Sequence, residues 1–190
     1  MSHNISRNVR FVLWRQGVDR AEWVAWLLQR ASLDRVRAGE LVHCELADSQ
    51  IGAEVLGELA RAFDQEAELL RFSDFAADSV NILLENLRFL FNSVGHGGKK
   101  LFAEKQSVDP TTVSRWLKGA YEPTGPSLLQ IASYFGLPTG TDLRVEPVFL
   151  SVEPVAVGER RKWVQTRVDA LSAEEFGELY PALRRMLAKR

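Results

Sequence analysis

Apolar residues recur three or four positions apart in several short stretches of the chain, which is the spacing of one buried helix face. Clear examples are residues 9–13, 87–91, 128–135 and 176–187. Glycine follows each of the first three stretches within four residues and ends the helix that the stretch predicts. The pattern predicts an all-α protein built from short helices.

Three blocks of this pattern occur twice, in the same order along the chain. The copies are 8–13 with 86–91, 33–39 with 113–119, and 58–63 with 130–135. Their offsets are 78, 80 and 72 residues, so the first copy needs a two-residue deletion before Arg35 and an eight-residue insertion between its second and third blocks. We therefore predict two tandem helical domains, 1–78 and 79–140, with 141–190 as a third segment.

The third segment begins with a stretch whose structure the sequence leaves open. Residues 143–157 are rich in β-branched side chains, but two prolines exclude a central strand. This stretch is either an edge ribbon or a short extended connector.

Residues 160–187 predict a C-terminal helical hairpin. Ser172 and Glu175 have the spacing of a capping box, which marks the start of the second helix. Pro181 lies inside that helix and should bend it, because its ring removes a hydrogen bond to the preceding turn. The apolar stripe over 176–187 packs either on its own chain or against a second subunit, in a homodimer formed through the C-terminal helices.

Composition places the chain among globular proteins but gives it almost no overall charge. Hydrophobic residues make up 46%, and 24 lysines and arginines nearly cancel 25 aspartates and glutamates. The distribution is uneven: residues 1–39 hold seven basic and three acidic residues, 40–79 two and ten, and 80–119 six and three. A polyanion site must therefore come from local clustering. The acidic segment 40–78 should face away from DNA and is either a protein contact or a solvated surface.

The single cysteine, Cys44, excludes an internal disulfide, and the start of the chain lacks the order of a secretory signal. We therefore expect a cytoplasmic protein. No apolar run approaches the roughly eighteen residues that cross a bilayer. His43 beside Cys44 is a poor beginning for a zinc site, so neither a metal nor another cofactor is expected.

The strongest motif is a pair of short helices joined by a turn. Residues 100–105 predict the first helix, a turn follows at 106–109, and the second helix runs over 110–118. Asp109 supplies an N-cap before a proline, and Gly119 ends the second helix. With an alanine in its first helix and Val-Ser-Arg-Trp in its second, the motif resembles the helix-turn-helix of the phage-repressor (Xre/Cro) family.

This resemblance covers residues 86–138, is weaker over 8–64, and does not reach the last fifty residues. It implies two tandem repressor-like helix-turn-helix domains and double-stranded DNA as the partner. Most members of the family repress transcription, so the resemblance also implies a repressor.

The second helix of the motif has one apolar and one polar face. Val113, Trp116 and Leu117 lie three or four apart and must pack inward. The opposite face carries hydroxyl and basic groups that suit base edges and phosphates in a major groove. The candidate DNA-binding residues here are Lys99, Lys100, Thr111, Thr112, Ser114, Arg115 and Lys118, with Arg115 bonding a guanine edge. The alternative is that these side chains only solvate a surface helix.

The first copy predicts a weaker DNA reader. At the offset of 80, its outward positions are Ala31, Arg35 and Ala38, and Asp34 beside them has the wrong sign for phosphate. Arg35 and Arg37 could still hold the phosphate backbone, so DNA contact by this copy stays open.

These features favour a sequence-specific double-stranded DNA-binding transcriptional regulator. One alternative is a protein-interaction or scaffold module on the same fold, supported by the near-zero net charge and the weak first copy. Another is a structural part of a larger nucleoprotein assembly. An enzyme is not expected, because residues 95–100 lack the full pattern of a phosphate-binding loop and no catalytic constellation is evident.

Overall fold

The computed structural model of the chain describes residues 4–43, 48–152 and 157–187. Within these ranges the regular structure is entirely helical, which confirms the all-α prediction. No helix there has both the length and the apolar character needed to cross a membrane.

The helices fall into two similar sets followed by a C-terminal pair. The first set is α1 (Asn4–Arg15), α2 (Trp23–Arg30), α3 (Arg35–His43), α4 (Ala53–Phe63), α5 (Ala67–Phe72) and α6 (Phe75–Ser79). The second is α7 (Ile82–Ser93), α8 (Gly98–Gln106), α9 (Pro110–Leu117) and α10 (Gly125–Phe135), and the last pair is α11 (Val157–Asp169) and α12 (Ala173–Leu187). Short 3₁₀ helices cover Arg20–Glu22, Asp48–Gln50 and Val148–Leu150.

Each of the two sets encloses its own apolar core. The first core collects side chains from α1 to α5 and includes the fully buried Trp23. The second runs from α7 to the last 3₁₀ helix. At its centre the Phe91 ring meets the rings of Phe102 and Phe135 edge-on, with centroids 5.1 Å apart in both pairs. Such edge-to-face packing adds specific geometry to the burial of apolar area.

A buried asparagine on α1 ties the end of the first set to its beginning. The Asn8 side chain is fully buried and donates to the carbonyls of Leu70 (2.9 Å) and Ser73 (2.8 Å). Its oxygen accepts the backbone N–H of Phe75 at 3.0 Å. One buried side chain thereby satisfies two carbonyls at the end of α5 and the first N–H of α6.

The second set repeats this device. Asn86 on α7 is also fully buried, donates to the carbonyls of Leu143 (2.8 Å) and Glu146 (2.7 Å), and accepts the backbone N–H of Phe149 (3.0 Å). Two carbonyls and one N–H at nearly the same sequence distance are bonded in both halves, which supports the predicted internal repeat.

The third repeated block lies at the predicted offset. Both α4 and α10 have eleven residues and begin 72 positions apart, and each ends on a buried phenylalanine, Phe63 or Phe135. A left-handed residue follows each helix, Asp64 with φ 52° and Gly136 with φ 67°. This conformation satisfies the last carbonyls of each helix by the usual C-capping bonds.

The second block lies at a different offset from the predicted one. Ser32 and Ser107 occupy the turns before α3 and α9 with nearly identical left-handed backbones, φ 52° and 53°. Asp34 and Asp109, two residues later, each accept a backbone N–H from the following helix, at 2.8 and 2.6 Å. The two turns are therefore 75 residues apart, and the predicted offset of 80 is wrong for this block.

A third apolar cluster joins the two halves. The Trp14 ring on α1 lies 4.8 Å from the ring of Phe149, which belongs to the second half. Arg20 of the first half places its guanidinium 4.3 Å from the ring centroid of Phe89 and donates to the carbonyl of Phe149. The buried members of this junction cluster are Phe11, Ala76, Ile82, Phe149 and Leu150.

The stretch after α10 is neither a ribbon nor an extended connector where the structure describes it. Residues 142–145 form turns, and Val148–Leu150 is a 3₁₀ helix whose three side chains are all buried. Burial explains the apolar run at 148–150, since Val148 packs in the second core and Phe149 and Leu150 pack in the junction cluster. Residues 153–156, the end of the predicted connector, lie outside the described ranges.

The two C-terminal helices form as predicted but do not pack along each other. The capping box is present, since Ser172 N–H donates to Glu175 Oε2 at 2.9 Å and Glu175 N–H donates to Ser172 Oγ at 3.3 Å. Pro181 lies inside α12. Neither α11 nor α12 has an extended contact with the other or with the two cores. The predicted hairpin therefore has its connection but lacks side-by-side packing.

Replacing Asn86 by alanine should strongly destabilise the fold, because two buried carbonyls and one buried N–H lose their partner. We expect the free energy of unfolding to fall by about 2–4 kcal/mol, measured by urea denaturation. Asn92→Ala, on an exposed position of the same helix, should change it little. Equal effects of the two substitutions would contradict the role of the buried amide.

Candidate nucleic-acid interface

The candidate interface consists of α8, the turn after it, and α9. Ser107 in the left-handed conformation ends α8, and Asp109 caps α9, which begins with Pro110. Proline suits this first position, because an N–H group here would have no hydrogen-bond partner within the helix. These local signals fix where α9 starts and therefore which of its side chains face the core.

The orientation of α9 agrees with the predicted amphipathic pattern. Val113 is fully buried and Trp116 is 4% exposed, both in the second core. Thr111, Arg115 and Lys118 are all exposed. The helix thus presents its hydroxyl and basic positions to solvent, as the sequence predicts, and nothing in the described chain covers them.

The first turn of α9 is already occupied by a carboxylate. Thr111 donates its backbone N–H to Asp109 at 2.6 Å, and its hydroxyl bonds to the same carboxylate. The side-chain bond from Thr111, then its backbone bond, and more weakly the charge of Arg115, lower the pKa of Asp109. A phosphate at this helix end would meet a negative charge, so Thr111 and Thr112 are better placed for a base than for the backbone.

The hydroxyl donors of α9 are largely engaged within the helix. Ser114 Oγ donates to the carbonyl of Pro110 at 3.0 Å, and Thr111 bonds to Asp109. Thr112 is half-buried. These hydroxyls retain lone pairs that can accept from a base amino group, but they supply few free donors.

The cationic heads of α9 are free. Within the described residues, no hydrogen bond or ion pair is formed by the side chains of Arg115 and Lys118, and both are exposed. A free guanidinium offers a planar pair of N–H donors, and a free ammonium offers a point charge. Arg115 and Lys118 are therefore the strongest hydrogen-bond donors on this surface.

Two more lysines stand at the start of α8. Lys99 and Lys100 are exposed, and Lys100 makes only a long ion pair with Glu104, 3.8 Å between the charged atoms. No side chain caps this helix, so its first N–H groups lack a side-chain partner. Gly98 is required here, because a Cβ would come 2.1 Å from a methyl of Val94. The combination of lysines and an uncapped helix start suits a phosphate oxygen.

One positioning residue escapes prediction from the sequence. Arg88 on α7 donates from Nε to the carbonyl of Leu117 at 3.4 Å and from Nη1 to Glu85 at 2.8 Å. It thereby satisfies a carbonyl at the end of α9 and couples that helix to α7. No local pattern reveals this contact, since the two residues are 29 positions apart.

Two of the three outward positions predicted for the first copy are wrong. Ala31 and Ala38 are fully buried in the first core, because α3 begins at Arg35 and follows the 75-residue offset. At that offset the residues matching Thr111, Arg115 and Lys118 are Val36, Glu40 and His43. Val36 is 69% exposed. Arg35 and Arg37 are exposed at the start of α3 as predicted, and so is Asp34.

The pattern Ser-x-Asp would have given the correct alignment. Residues 32–34 read Ser-Leu-Asp and residues 107–109 read Ser-Val-Asp, at an offset of 75. His43, which this alignment places outward, is exposed, while Cys44 lies outside the described residues.

The acidic segment of the first half exposes large apolar side chains. Phe72 on α5 is 71% exposed and Leu69 is 42% exposed, and the exposed acids Glu66 and Glu68 precede them. An exposed phenylalanine is a common feature of protein contacts, and its acidic surroundings disfavour a nucleic acid.

Scans against protein-family models, curated proteins and solved structures find no match to the chain. Free donors on a short helix and basic groups at the start of its neighbour can bind an anionic polymer and bond to its base edges.

The Asp109 cap gives a pH-dependent contribution to stability. The fold lowers the pKa of Asp109, so the ionised carboxylate stabilises the folded chain at any pH above the ordinary carboxyl pKa. This stabilisation is lost as the pH falls through the lowered pKa of the folded state. Asp109→Ala should lower the melting temperature most near neutral pH, and the difference from the unmodified protein should shrink as the pH falls below the ordinary aspartate pKa of about 3.9.

Asp109→Ser is the matched variant, since a serine hydroxyl can still accept from the first turn of α9. It should retain more stability at neutral pH than Asp109→Ala. A melting-temperature difference for Asp109→Ala that stays constant from neutral to acidic pH would argue against the cap.

Proposed function

We propose that the protein is a sequence-specific double-stranded DNA-binding transcriptional regulator that reads DNA with α9. The observation that carries this proposal is the burial of Trp116 beside an exposed, unpaired Arg115 on a short helix. A helix of this size fits the major groove, where the four base pairs present different patterns of donors and acceptors. Repression, which the family resemblance implies, is the expected mode of regulation.

The residues divide into base-reading and backbone-holding groups. Arg115 has the geometry to donate two hydrogen bonds to O6 and N7 of a guanine. Lys99, Lys100 and Lys118 supply point charges for phosphates, which gives affinity without sequence preference. This division predicts that affinity and specificity respond to different substitutions.

The first half contributes less to reading in this proposal. Glu40 stands where the second half has Arg115, and Val36 stands where it has Thr111. A carboxylate and an exposed valine make a poor polyanion contact. Arg35 and Arg37 are exposed at the start of α3 and can still hold a phosphate. One chain therefore offers one basic reading helix.

Arg115→Ala should reduce affinity for the preferred site by about tenfold to a hundredfold and relax the preference for one base pair. Lys100→Ala should weaken binding to all duplexes alike and lower the number of ions released on binding, read from the salt dependence, by about one. Both are measured by fluorescence anisotropy across a salt series, with duplexes selected from genomic fragments.

Arg61→Ala serves as the control, because Arg61 is an exposed arginine of the acidic segment and is paired with Glu58. It should leave affinity and salt dependence unchanged. If the unmodified protein binds every duplex equally, or if the three substitutions have the same effect, specific reading by α9 is wrong.

A second candidate is a protein-interaction module, favoured by the exposed Phe72 and Leu69 in the strongly acidic segment. In this case the partner carries a basic apolar surface, and DNA contact is weak or absent.

Phe72→Ser separates the two candidates. If the protein is an interaction module, Phe72→Ser should abolish the complex recovered from cell extract and Arg115→Ala should leave it intact. If the protein is a DNA regulator, Arg115→Ala should weaken DNA binding and Phe72→Ser should leave DNA binding unchanged. Size-exclusion chromatography of the extract complex and anisotropy on the same two variants give both readouts. No change in the complex on Phe72→Ser would remove this surface from consideration.

A further inference from the structure

The outer face of α9 separates hydrogen-bond donors from hydrogen-bond acceptors. Arg115 and Lys118 carry the cationic donors, and both side chains are exposed. The hydroxyls of Thr111 and Ser114 precede them along the helix, and each hydroxyl is bonded to an oxygen of the chain itself. Because a hydroxyl has a single proton, both side chains present only lone pairs to a partner.

Asp109 engages the proton of the Thr111 hydroxyl. Its Oδ1 accepts the backbone N–H of Thr111 at 2.6 Å, which holds the carboxylate beside the same residue's side chain. The Thr111 hydroxyl bonds to this carboxylate. A hydrogen bond to an ionised acceptor is roughly twice as strong as one between neutral groups. A base carbonyl is a neutral acceptor, so the hydroxyl proton stays directed at Asp109.

The hydroxyl of Ser114 is less firmly oriented. Ser114 Oγ donates to the carbonyl of Pro110 at 3.0 Å, which is a bond between neutral groups. Ser114 is also half-buried, whereas Thr111 is exposed. Thr111 is therefore the hydroxyl that a base can reach and whose lone pairs face outward.

The first half forms the same kind of N-cap without a hydroxyl at this position. Asp34 matches Asp109 and accepts the backbone N–H of Arg37 at 2.8 Å, at the start of α3. Val36 stands at the position that matches Thr111 and is 69% exposed. A cap of this kind therefore forms without the hydroxyl, which leaves the Thr111 hydroxyl available for a role other than folding.

Two bases offer a donor to such an acceptor in the major groove. Adenine presents its N6 amino group and cytosine its N4 amino group, whereas guanine presents acceptors and thymine an acceptor and a methyl group. Thr111 and Arg115 are one helical turn apart, about 6 Å along the axis. Because duplex DNA rises about 3.4 Å per base pair, their contacts fall within about two base pairs of each other.

We propose that Asp109 is a positioning residue that fixes the Thr111 hydroxyl as an acceptor, so that Thr111 reads the exocyclic amino group of an adenine or a cytosine. The amino group lies within about two base pairs of the guanine that Arg115 reads. The reading by Thr111 rests on the proposed function, since it concerns how α9 distinguishes base pairs.

The bond between the hydroxyl and the carboxylate is tested without DNA. Thr111→Val should raise the pKa of Asp109 toward its ordinary value, because the side-chain bond from Thr111 is the largest cause of the lowered pKa. Thr111→Ser keeps a hydroxyl and should leave the pKa low. The carboxyl carbon shift of Asp109, followed by NMR as the pH is varied, measures both. An unchanged pKa in Thr111→Val would overturn the proposal.

Base analogues test the contact with the amino group. Purine lacks the amino group of adenine, and 2-pyrimidinone lacks that of cytosine. Placed at the contacted position of the preferred duplex, the analogue should weaken binding of the unmodified protein about threefold to tenfold. The same analogue should change the affinity of Thr111→Val little, because that variant has no hydroxyl to lose its partner. Fluorescence anisotropy measures all four affinities.

Two substitutions of Asp109 test the positioning role. Asp109→Asn retains a carbonyl oxygen that can accept from the hydroxyl, so it should keep the preference for the amino-bearing base. Asp109→Ala releases the hydroxyl proton, so the affinity ratio of cytosine over thymine, or of adenine over guanine, should fall about threefold or more. A weakened helix cap alone would lower both affinities alike and leave their ratio unchanged.

The outcomes separate the reading by Thr111 from the proposed function. A preferred duplex that needs the guanine of Arg115 but tolerates loss of every nearby amino group would overturn the reading by Thr111 and leave the proposed function intact. An amino requirement that persists in Thr111→Val would assign the contact to another side chain and also overturn it. Absence of any preferred duplex would overturn the proposed function and the reading by Thr111 with it.

Discussion

The burial of one face of α9 against the second core decides what this protein can present to a partner. Trp116 and Val113 are held in the core, so rotation of α9 about its axis would expose an indole and a valine and bury a guanidinium. Burying an unpaired charge is far more costly than leaving it in water. Arg115 therefore faces outward because of its neighbours, and the proposed reading of DNA depends on that packing.

Most of α9 could be predicted from the sequence because its signals are local. The Asp-Pro cap, the apolar positions of one face and the glycine after the helix lie within ten or so residues of one another, at spacings set by helix geometry. The predicted offset of 80 is wrong because it matches Arg35 with Arg115 and Gly39 with Gly119, and surface and loop positions exchange these residue types freely. The Ser-x-Asp turn is the better guide, since its left-handed backbone and N-cap are steric requirements.

Contacts between distant parts of the chain could not be predicted in the same way. Arg88 holds the end of α9, and Arg20 reaches from the first half to Phe89 and the Phe149 carbonyl. These contacts depend on how preformed helices pack, which one sequence does not encode at any fixed spacing. The same reason explains why the sequence of residues 148–150 predicts extended structure, although the second core and the junction cluster bury these residues in a 3₁₀ helix.

The two halves share a scaffold but differ in the surfaces they carry. The buried amides of Asn8 and Asn86 impose the same three bonds on each half, and this requirement leaves the exposed face of the following helices unconstrained. One half carries Glu40 at the position where the other carries Arg115. The overall charge of −1 is therefore the sum of a basic surface and an acidic surface on the same molecule. A polyanion approaching such a molecule is attracted by one half and repelled by the other, which orients α9 toward it before contact.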